Sequence, residues 1–268
     1  QDYGVARFVN IDQKFGGAYL KENNSWAKQS IAHNTLVVNE TSHYNGDFET
    51  GNKYHSDPYF FNVQDKTVQI MSAKDSHAYP GITMHRTMAM ITDEAFEKPI
   101  VLDVFRDQSE QENQYDLPFL FMGQIMSANF KYTVPEVLAP LGKVFGYQHL
   151  WKTGEGHSQE KNAKMSWFSN ERFYTLTTLV SPDDDLLFTL LGAKDTEFNL
   201  RHDQSFIIRK NKQKNAVYLS VVESHGHYDP VSEIATNSYS SISNLDLLFS
   251  NEKYTLITFS SKSGLRWT

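Results

Sequence analysis

Short runs in which apolar and polar residues alternate recur along the whole chain, and Val, Ile, Thr, Tyr and Phe dominate them. These residue types favour strands, whose side chains point alternately to the two faces of a sheet. Turn-forming sequences such as NGD and SPDD separate the runs. The pattern therefore predicts an all-β fold of stacked antiparallel sheets, a β-sandwich. The strongest runs are 67–71, 99–105, 173–180, 186–191, 206–208, 216–222 and 254–259.

Two polar segments interrupt this pattern. The segment 152–161 has no strand periodicity, which predicts a long loop or a weak boundary. We therefore expect a central sheet region at 1–150 and a second, C-terminal sheet region at 151–268. The segment HGHYD at 225–229 spaces two His residues as a metal motif on a strand would. Its Gly and the Asp-Pro pair nevertheless favour a polar turn after the strand at 216–222.

Composition excludes several kinds of function. Of 268 residues, 40% are hydrophobic and 21% are charged, as in a folded globular protein rather than a disordered one. The absence of cysteine excludes disulfide frameworks, cysteine-ligated zinc and thiol nucleophiles. The net charge of -7 argues against a nucleic-acid protein with a broad basic face. No run approaches the ~18 apolar residues of a membrane-spanning helix. We therefore predict neither a nucleic-acid partner nor a membrane partner.

Chemically reactive side chains are unusually dense near the start of the chain. They are Asp2, Tyr3, Arg7, Tyr19, His33 and Asn34. A carboxylate and an imidazole are common zinc ligands, but a single Asp far from a single His is a weak signal. A His beside a buried strand is more often a hydrogen-bonded structural residue. The residues alone therefore leave open whether this segment binds a metal, takes part in catalysis or is structural.

Several sequence blocks, taken in order, resemble one enzyme family. They are DYGVARF at 2–8, FGGAYL at 15–20, SWAKQSIAHNT at 25–35, YPG at 79–81 with RT at 86–87, QYDLPF at 114–119 and GYQHLW at 146–151. This set resembles the heparinase II/III-like lyases and, more narrowly, the exo-acting oligoalginate lyases of polysaccharide lyase family 17. The resemblance implies a polysaccharide lyase that cleaves alginate oligosaccharides by β-elimination and releases an unsaturated uronate.

The resemblance also implies an architecture. In that family an N-terminal α/α toroid precedes the β-sandwich, and the active site lies between the two parts. This chain would begin inside the sandwich, so the toroid is absent from it and is an expected partner. The base, a Tyr, and the Asn-His pair that neutralises the substrate carboxylate would lie in the missing part. The chain alone is therefore expected to lack a complete active site.

Four residues of this chain fall on functional positions of the family. By resemblance, Tyr19 falls on the general acid and Arg7 on an active-site arginine near the substrate. Asp2 and His33 fall on two ligands of a zinc ion, whose third ligand, a His, comes just upstream. The resemblance thus implies a structural Zn2+ that pins two strands near the active-site wall. Without a metal, Asp2 and His33 would form a hydrogen bond instead.

The chemistry of elimination explains why such residues are needed. A uronate lyase removes the proton on C5, next to a carboxylate, and expels the oxygen linked to C4. Amide, imidazole or guanidinium donors must stabilise the charge that spreads onto the carboxylate, and an acid must protonate the leaving oxygen. An Arg can bind the carboxylate through two hydrogen bonds or lower the pKa of a nearby Tyr. We prefer the first role for Arg7.

Two other functions stay open. A related glycosaminoglycan lyase would act on heparin, heparan or hyaluronan, whereas a non-catalytic β-sandwich would bind sugar or assemble subunits. The QYDLPF and GYQHLW blocks favour alginate. Dimers are common in the resembled family, which makes a homodimer an expected partner. A bacterial protein that degrades oligouronates is expected to be periplasmic or secreted.

Overall fold

The computed structural model describes residues 3–4, 18–251 and 253–268. Strands dominate these residues, as the alternating pattern predicts. They are β1 (Val37–Val38), β2 (Asp57–Asn62), β3 (Val68–Tyr79), β4 (Ile82–Ile91), β5 (Ile100–Ser109), β6 (Asn113–Phe121), β7 (Gln124–Ala128), β8 (Lys131–Thr133), β9 (Ala139–Pro140), β10 (Leu150–His157), β11 (Asn162–Ser169), β12 (Arg172–Leu179), β13 (Asp185–Leu191), β14 (Gln204–Gln213), β15 (Val217–Asp229), β16 (Ile234–Thr236), β17 (Ile242–Ser250), β18 (Thr255–Ser261) and β19 (Arg266–Trp267).

The strands form three antiparallel sheets. Sheet I has the order β1-β6-β14-β13-β10-β8, with β9 beside β10. Sheet II has the order β2-β3-β4-β5-β15-β12-β11-β7, with β16 beside β15, and sheet III has the order β17-β18-β19. Every strand pair in the described part of the chain is antiparallel. The predicted all-β fold of stacked antiparallel sheets is confirmed.

Three apolar clusters hold the sheets together in layers. Adjacent residues of a strand point to opposite faces, so Phe206 and Ile207 of β14 enter two different clusters. Phe206 lies between sheets I and II together with Tyr218 of β15. Leu219, the next residue of β15, packs instead in the cluster that joins sheet II to sheet III. Ile207 packs on the outer face of sheet I against Trp26, which belongs to a helical segment covering that face.

The helical segments are short. All but one of those described precede β2, and the remaining one lies between β9 and β10. These segments are a π-helix at Asn23–Ala27, 3₁₀-helices at Ser30–Ala32, His43–Gly46 and Tyr147–His149, and α1 at Phe48–Gly51. The Asp47 carboxylate caps α1 by accepting hydrogen bonds from the backbone nitrogens of Glu49 and Thr50, at 3.0 and 3.3 Å. Within residues 3–4, 18–251 and 253–268, no helix has the length and apolar character to cross a bilayer.

The segment 152–161, predicted as a loop, contains most of β10, and this prediction is wrong. The strand lies between β13 and β8 in sheet I. Its glycines suggest a loop in the sequence, but they are needed for close packing. A Cβ on Gly154 would come within 3.1 Å of the Phe188 and Tyr132 side chains, and one on Gly156 within 2.3 Å of a neighbouring carbonyl oxygen.

The polar turn predicted at 225–229 is also wrong, because β15 continues to Asp229. Gly226 has a φ of +55° and is an extra residue opposite the Arg172–Phe173 step of β12. It therefore forms a β-bulge. The glycine marks an irregularity within the strand and not a turn at its end. His225 is buried there and hydrogen-bonds with Thr175 Oγ1 at 2.9 Å.

The expected boundary near residue 150 does not separate the sheets. Strands from before and after that residue lie in both large sheets: β6 is next to β14 in sheet I, and β5 is next to β15 in sheet II. Sheet III, by contrast, is built from residues 242–267 alone. The division into two domains stays a prediction.

Candidate active site

Tyr19 lies on an exposed turn that leads into the helical segment covering sheet I. Its side chain is 58% exposed. The π-helix Asn23–Ala27 begins four residues later, and the Lys28 backbone nitrogen donates to the carbonyl of Asn23 at 3.0 Å. Single π-helical turns occur frequently at functional sites. An exposed phenol next to a regular hydrogen-bonded turn can reach a bound molecule without rearrangement of the core.

Trp26 anchors this helical segment. It is completely buried and makes edge-to-face contacts with the rings of Tyr3 and His149, at centroid distances of 5.7 and 6.5 Å. Gly146, from the GYQHLW block, lies against the same segment. A Cβ at this position would come within 2.6 Å of the Ile31 side chain and 3.4 Å of Trp26. The block thus contributes a glycine against which the side chains of the helical segment pack closely.

Polar contacts join the same two blocks. His149 Nε2 lies 2.9 Å from Ser25 Oγ, and Gln148 Nε2 donates to the Ser25 carbonyl at 3.3 Å. Burial lowers the pKa of His149, so its ring is neutral near pH 7. These contacts indicate a structural role for His149, which holds the helical segment in place.

His33 directly follows the 3₁₀-helix Ser30–Ala32. Its Nε2 lies 3.0 Å from the Ala27 carbonyl oxygen, an acceptor. In the neutral ring this contact places the proton on Nε2 and the lone pair on Nδ1. A zinc-bound His typically donates its second ring N–H to a backbone carbonyl or a carboxylate in this way. The geometry of His33 therefore suits a metal ligand that binds through Nδ1.

Asn34 connects the segment to both large sheets. Its side-chain oxygen accepts from the Leu120 backbone nitrogen of β6 at 2.7 Å. Its carbonyl accepts from Arg86 of β4, which also forms two hydrogen bonds, at 2.9 and 2.6 Å, with the Asp103 carboxylate of β5. Residues that are distant in sequence thus fix the backbone next to His33.

A cavity of about 400 Å³ adjoins Asn34 and the Arg86–Asp103 pair. The residues lining it include Trp167 and Tyr174, whose rings are stacked with centroids 5.3 Å apart. Aromatic walls with a few polar groups are typical of small-molecule sites. The cavity was not predicted from the sequence.

A buried ion-pair network lies next to the GYQHLW block. Asp116, in the QYDLPF block, is completely buried in β6. Its carboxylate accepts two hydrogen bonds from Arg209, both at 2.8 Å, and one from the Tyr147 hydroxyl at 2.6 Å. Arg209 also contacts Glu40 at 2.9 Å. These carboxylates raise the pKa of Arg209, which stays fully charged, and burial together with Asp116 raises the pKa of Tyr147.

Two of the predicted site residues, Asp2 and Arg7, lie outside the described residues and stay predictions. Within the described part of the chain, no group of three or more His, Asp or Glu residues is arranged to hold a metal ion. His33 alone of the predicted ligands is therefore placed, and further ligands would have to come from elsewhere.

The sequence model of the heparinase II/III-like C-terminal family matches residues 1–240. This chain belongs to that family. The match includes Tyr19, His33 and all the sequence blocks that carry the resemblance, which is thereby confirmed.

Two curated relatives in this family are closely similar. The exo-oligoalginate lyase of Saccharophagus degradans is 40% identical over 256 residues, which are 94% of this chain and 35% of the relative. The alginate lyase of Stenotrophomonas maltophilia is 40% identical over 233 residues, which are 87% of this chain and 31% of the relative. The chain thus spans about a third of the length of either relative.

Two solved structures share the fold of this chain. A heparinase III matches with a TM-score of 0.55 and 11% identity, over 99% of this chain and 34% of that protein. A heparan sulfate lyase from Pedobacter heparinus matches with a TM-score of 0.52 and 13% identity, over 99% of this chain and 33% of that protein. At this identity the likeness is one of fold alone.

Proposed function

We propose that this chain is part of an alginate lyase that cleaves oligoalginate from the chain end by β-elimination. The observation that carries the proposal is the 40% identity with an exo-oligoalginate lyase over 94% of this chain. A second relative, named an alginate lyase, has the same identity. Because the chain spans about a third of each relative, the activity is that of the complete protein. We further propose an N-terminal α/α domain and a second copy of the protein as partners, in the periplasm or outside the cell.

In this proposal Tyr19 is the general acid. A base in the N-terminal part removes the proton on C5 of the uronate, and the electrons of the C5–H bond form a double bond between C4 and C5. The bond between C4 and its linking oxygen breaks, and the Tyr19 phenol donates its proton to that oxygen. Two observations support this role: the phenol is 58% exposed, and the segment after it is anchored by the buried Trp26.

Arg7 would bind the substrate carboxylate in the same site. A guanidinium forms two parallel hydrogen bonds with a carboxylate and keeps its charge at any pH of interest. It would therefore stabilise the negative charge that develops on the carboxylate after proton removal.

The geometry of His33, one of the two zinc ligands that the family resemblance implies in this chain, is compatible with binding zinc. His33 has the tautomer that a metal ligand needs, because its Nε2 is directed at the Ala27 carbonyl. Asp2 and His33 would hold the ion together with a His upstream of this chain. The bound ion would supply a structural cross-link between the segment before Tyr19 and the start of β1. His33 holds the helical segment through its Ala27 contact, with or without the metal.

Metal analysis of the complete protein tests the zinc proposal. The purified protein should contain close to one zinc ion per chain, and His33→Ala and Asp2→Ala should each lower the zinc content by tenfold or more at a fixed low zinc concentration. The variant His55→Ala, which removes a His whose side chain is 82% exposed, should retain its zinc. Equal zinc contents in all four proteins, or none in the unmodified one, would contradict the proposal.

The substrate class is tested by incubating the complete protein with alginate trisaccharide and, separately, with heparin, heparan sulfate and hyaluronan. The alginate reaction should yield an unsaturated monouronate as the first product, seen by mass spectrometry and ultraviolet absorbance. Products from the interior of a longer chain would contradict exolytic cleavage. Turnover of a glycosaminoglycan alone would favour the related lyases, and binding without turnover would favour a non-catalytic sugar-binding protein.

A further inference from the structure

Three residues of basic type, a Lys, a His and an Arg, lie next to one another on sheet II. Lys74 of β3 is directly opposite His85 of β4, and His85 is directly opposite Arg106 of β5. Cross-strand partners project from the same face of a sheet. We call this set the basic row. Its Lys and Arg place two positive charges on one face of the sheet, on either side of the imidazole.

The middle residue of the basic row stays neutral. Burial, together with the charges of Arg106 and Lys74, lowers the pKa of His85 to about 4. Its Nδ1 accepts from Arg106 Nη2 at 2.6 Å, and its Nε2 lies 2.7 Å from Ser72 Oγ. The row therefore presents two permanent cations on either side of a neutral imidazole that orients one of them.

No carboxylate within 4.0 Å compensates these two cations in the part of the chain that the structure describes. Asp57 is opposite Lys74 in β2, but its carboxylate is 71% exposed and is near His55, at 3.9 Å. The Lys74 ammonium lies instead over the ring of Tyr59, 3.9 Å from the centroid. Arg106 donates its other hydrogen bond to a backbone carbonyl, that of Asn251, at 2.7 Å.

A cavity of about 470 Å³ opens onto the basic row. This volume is within the range of about 300–1,000 Å³ that is usual for small-molecule sites. The remaining wall provides hydroxyl and amide groups from Thr83, Gln108, Asn215 and Ser250. The one carboxyl in the wall, Asp107, has its pKa raised to about 7 by burial, so its negative charge is incomplete at neutral pH. Two cations with neutral hydrogen-bonding groups match an acidic sugar better than a bare anion.

The basic row and the candidate active site use opposite faces of sheet II. His85 and Arg86 are neighbours in β4, so their side chains point in opposite directions. Arg86 contacts Asn34 on the side of sheet I, whereas His85 faces the cavity beside the β17–β18 connection. A ligand at the basic row would therefore not occupy the site next to His33.

Tyr59 is placed on this face by a β-bulge. The register of β2 against β3 shifts between Pro58 and Phe60, which leaves Tyr59 as the extra residue. Its ring contacts both Lys74 and His85, with ring centroids 4.8 Å apart in the second case. Bulges commonly re-aim a side chain beside a functional site.

We propose that the basic row is a second saccharide-binding site, which binds the carboxylate of a uronate residue between Lys74 and Arg106 outside the catalytic cleft. The choice of a uronate rests on the proposed function, whereas the site for an anion does not. Such a site would hold a polyuronate chain close to the enzyme while its end is cleaved.

Titration calorimetry with a mannuronate trisaccharide tests the proposal. The complete protein carries Tyr19→Phe to prevent turnover, and two binding sites are expected. Adding Lys74→Gln and Arg106→Gln should remove one of them. The charge-matched pair Lys66→Gln and Lys98→Gln, both on exposed residues, should retain two sites. Because Arg106 also donates to Asn251, Lys74→Gln alone is a second variant that breaks no hydrogen bond, and it should weaken the second site about tenfold.

The outcomes separate this inference from the proposed function. One binding site in every protein, or two in the Lys74 and Arg106 variant, would overturn the inference. Displacement of the trisaccharide from the second site by an equal concentration of inorganic sulfate would overturn the uronate assignment. If the protein with Tyr19 intact does not cleave alginate but the Lys74-dependent site is present, the proposed function fails and the inference stands. If alginate is cleaved normally but the Lys74-dependent site is absent, the inference fails and the proposed function stands.

Discussion

Replacing Tyr19 by Phe in the complete protein should lower kcat for oligoalginate by about 10²–10⁴-fold, the usual contribution of a general acid. The change removes only the hydroxyl, so the departing oxygen loses its proton donor while the turn keeps its shape. Because the side chain is 58% exposed, the free energy of unfolding should change by less than about 0.5 kcal/mol. Initial rates of unsaturated product formation and urea unfolding measure the two effects.

The matched control is Tyr239→Phe, which removes the hydroxyl of a tyrosine that is 81% exposed on another part of the surface. This variant should keep full activity. A Tyr19→Phe protein with unchanged kcat would end the assignment of Tyr19 as the acid. If only KM rises, Tyr19 binds the substrate equally in its ground and transition states and donates no proton in the slow step.

Much of the fold can be predicted from the sequence because strand periodicity is local. The runs at 173–180 and 186–191 correspond closely to β12 and β13. The two misses, at β10 and at the end of β15, involve glycines that look like turn residues. Gly156 and Gly226 are needed because a neighbouring strand leaves no space for a Cβ, with carbonyl oxygens 2.3 and 2.2 Å from where it would lie. Only the packed structure distinguishes a glycine required by a close neighbour from a glycine in a turn.

The candidate site is less predictable, since it depends on contacts between distant residues. His33 and Tyr19 were singled out by family resemblance, and neither periodicity nor spacing would select them. The basic row illustrates the limit more sharply. Lys74, His85 and Arg106 are unremarkable in sequence, and they meet because the β3–β4 and β4–β5 registers place them opposite one another. Register is set by pairing across the whole sheet.

The sequence blocks of the resemblance gain a physical meaning from these contacts. Tyr79 of the YPG block donates to the Thr41 carbonyl at 2.6 Å, and Arg86 of the RT block holds the Asn34 carbonyl. Tyr147 of GYQHLW donates to Asp116 of QYDLPF. The YPG and RT blocks thus contact the stretch 34–41, and GYQHLW is linked to QYDLPF. Arg86, which takes no part in the proposed reaction, therefore helps to fix the backbone next to His33.

Asp116→Asn should lower the free energy of unfolding by about 3–5 kcal/mol, the usual effect of breaking a buried ion pair. Asp116 is completely buried, and Arg209 would lose the carboxylate that accepts two of its hydrogen bonds. The partner left to Arg209 is Glu40, whose side chain is 34% exposed and therefore a weaker counter-charge. The amide nitrogen of Asn also cannot accept the Tyr147 hydroxyl. Urea unfolding of the complete protein, followed by intrinsic fluorescence, measures the change.

The control for this prediction is Asp183→Asn, which removes one negative charge from an exposed turn and should change the free energy of unfolding by less than about 0.5 kcal/mol. Arg209→Gln should destabilise the protein nearly as much as Asp116→Asn, and the double variant should be clearly less destabilised than the sum of the two. Such non-additivity is expected because both substitutions break one shared interaction. Strictly additive effects, or an Asp116→Asn protein as stable as the control, would show that the Asp116–Arg209 pair does not stabilise the fold. Because Tyr147 follows Gly146, which packs on Trp26, the destabilised variant should also lose zinc at a lower urea concentration than Asp183→Asn.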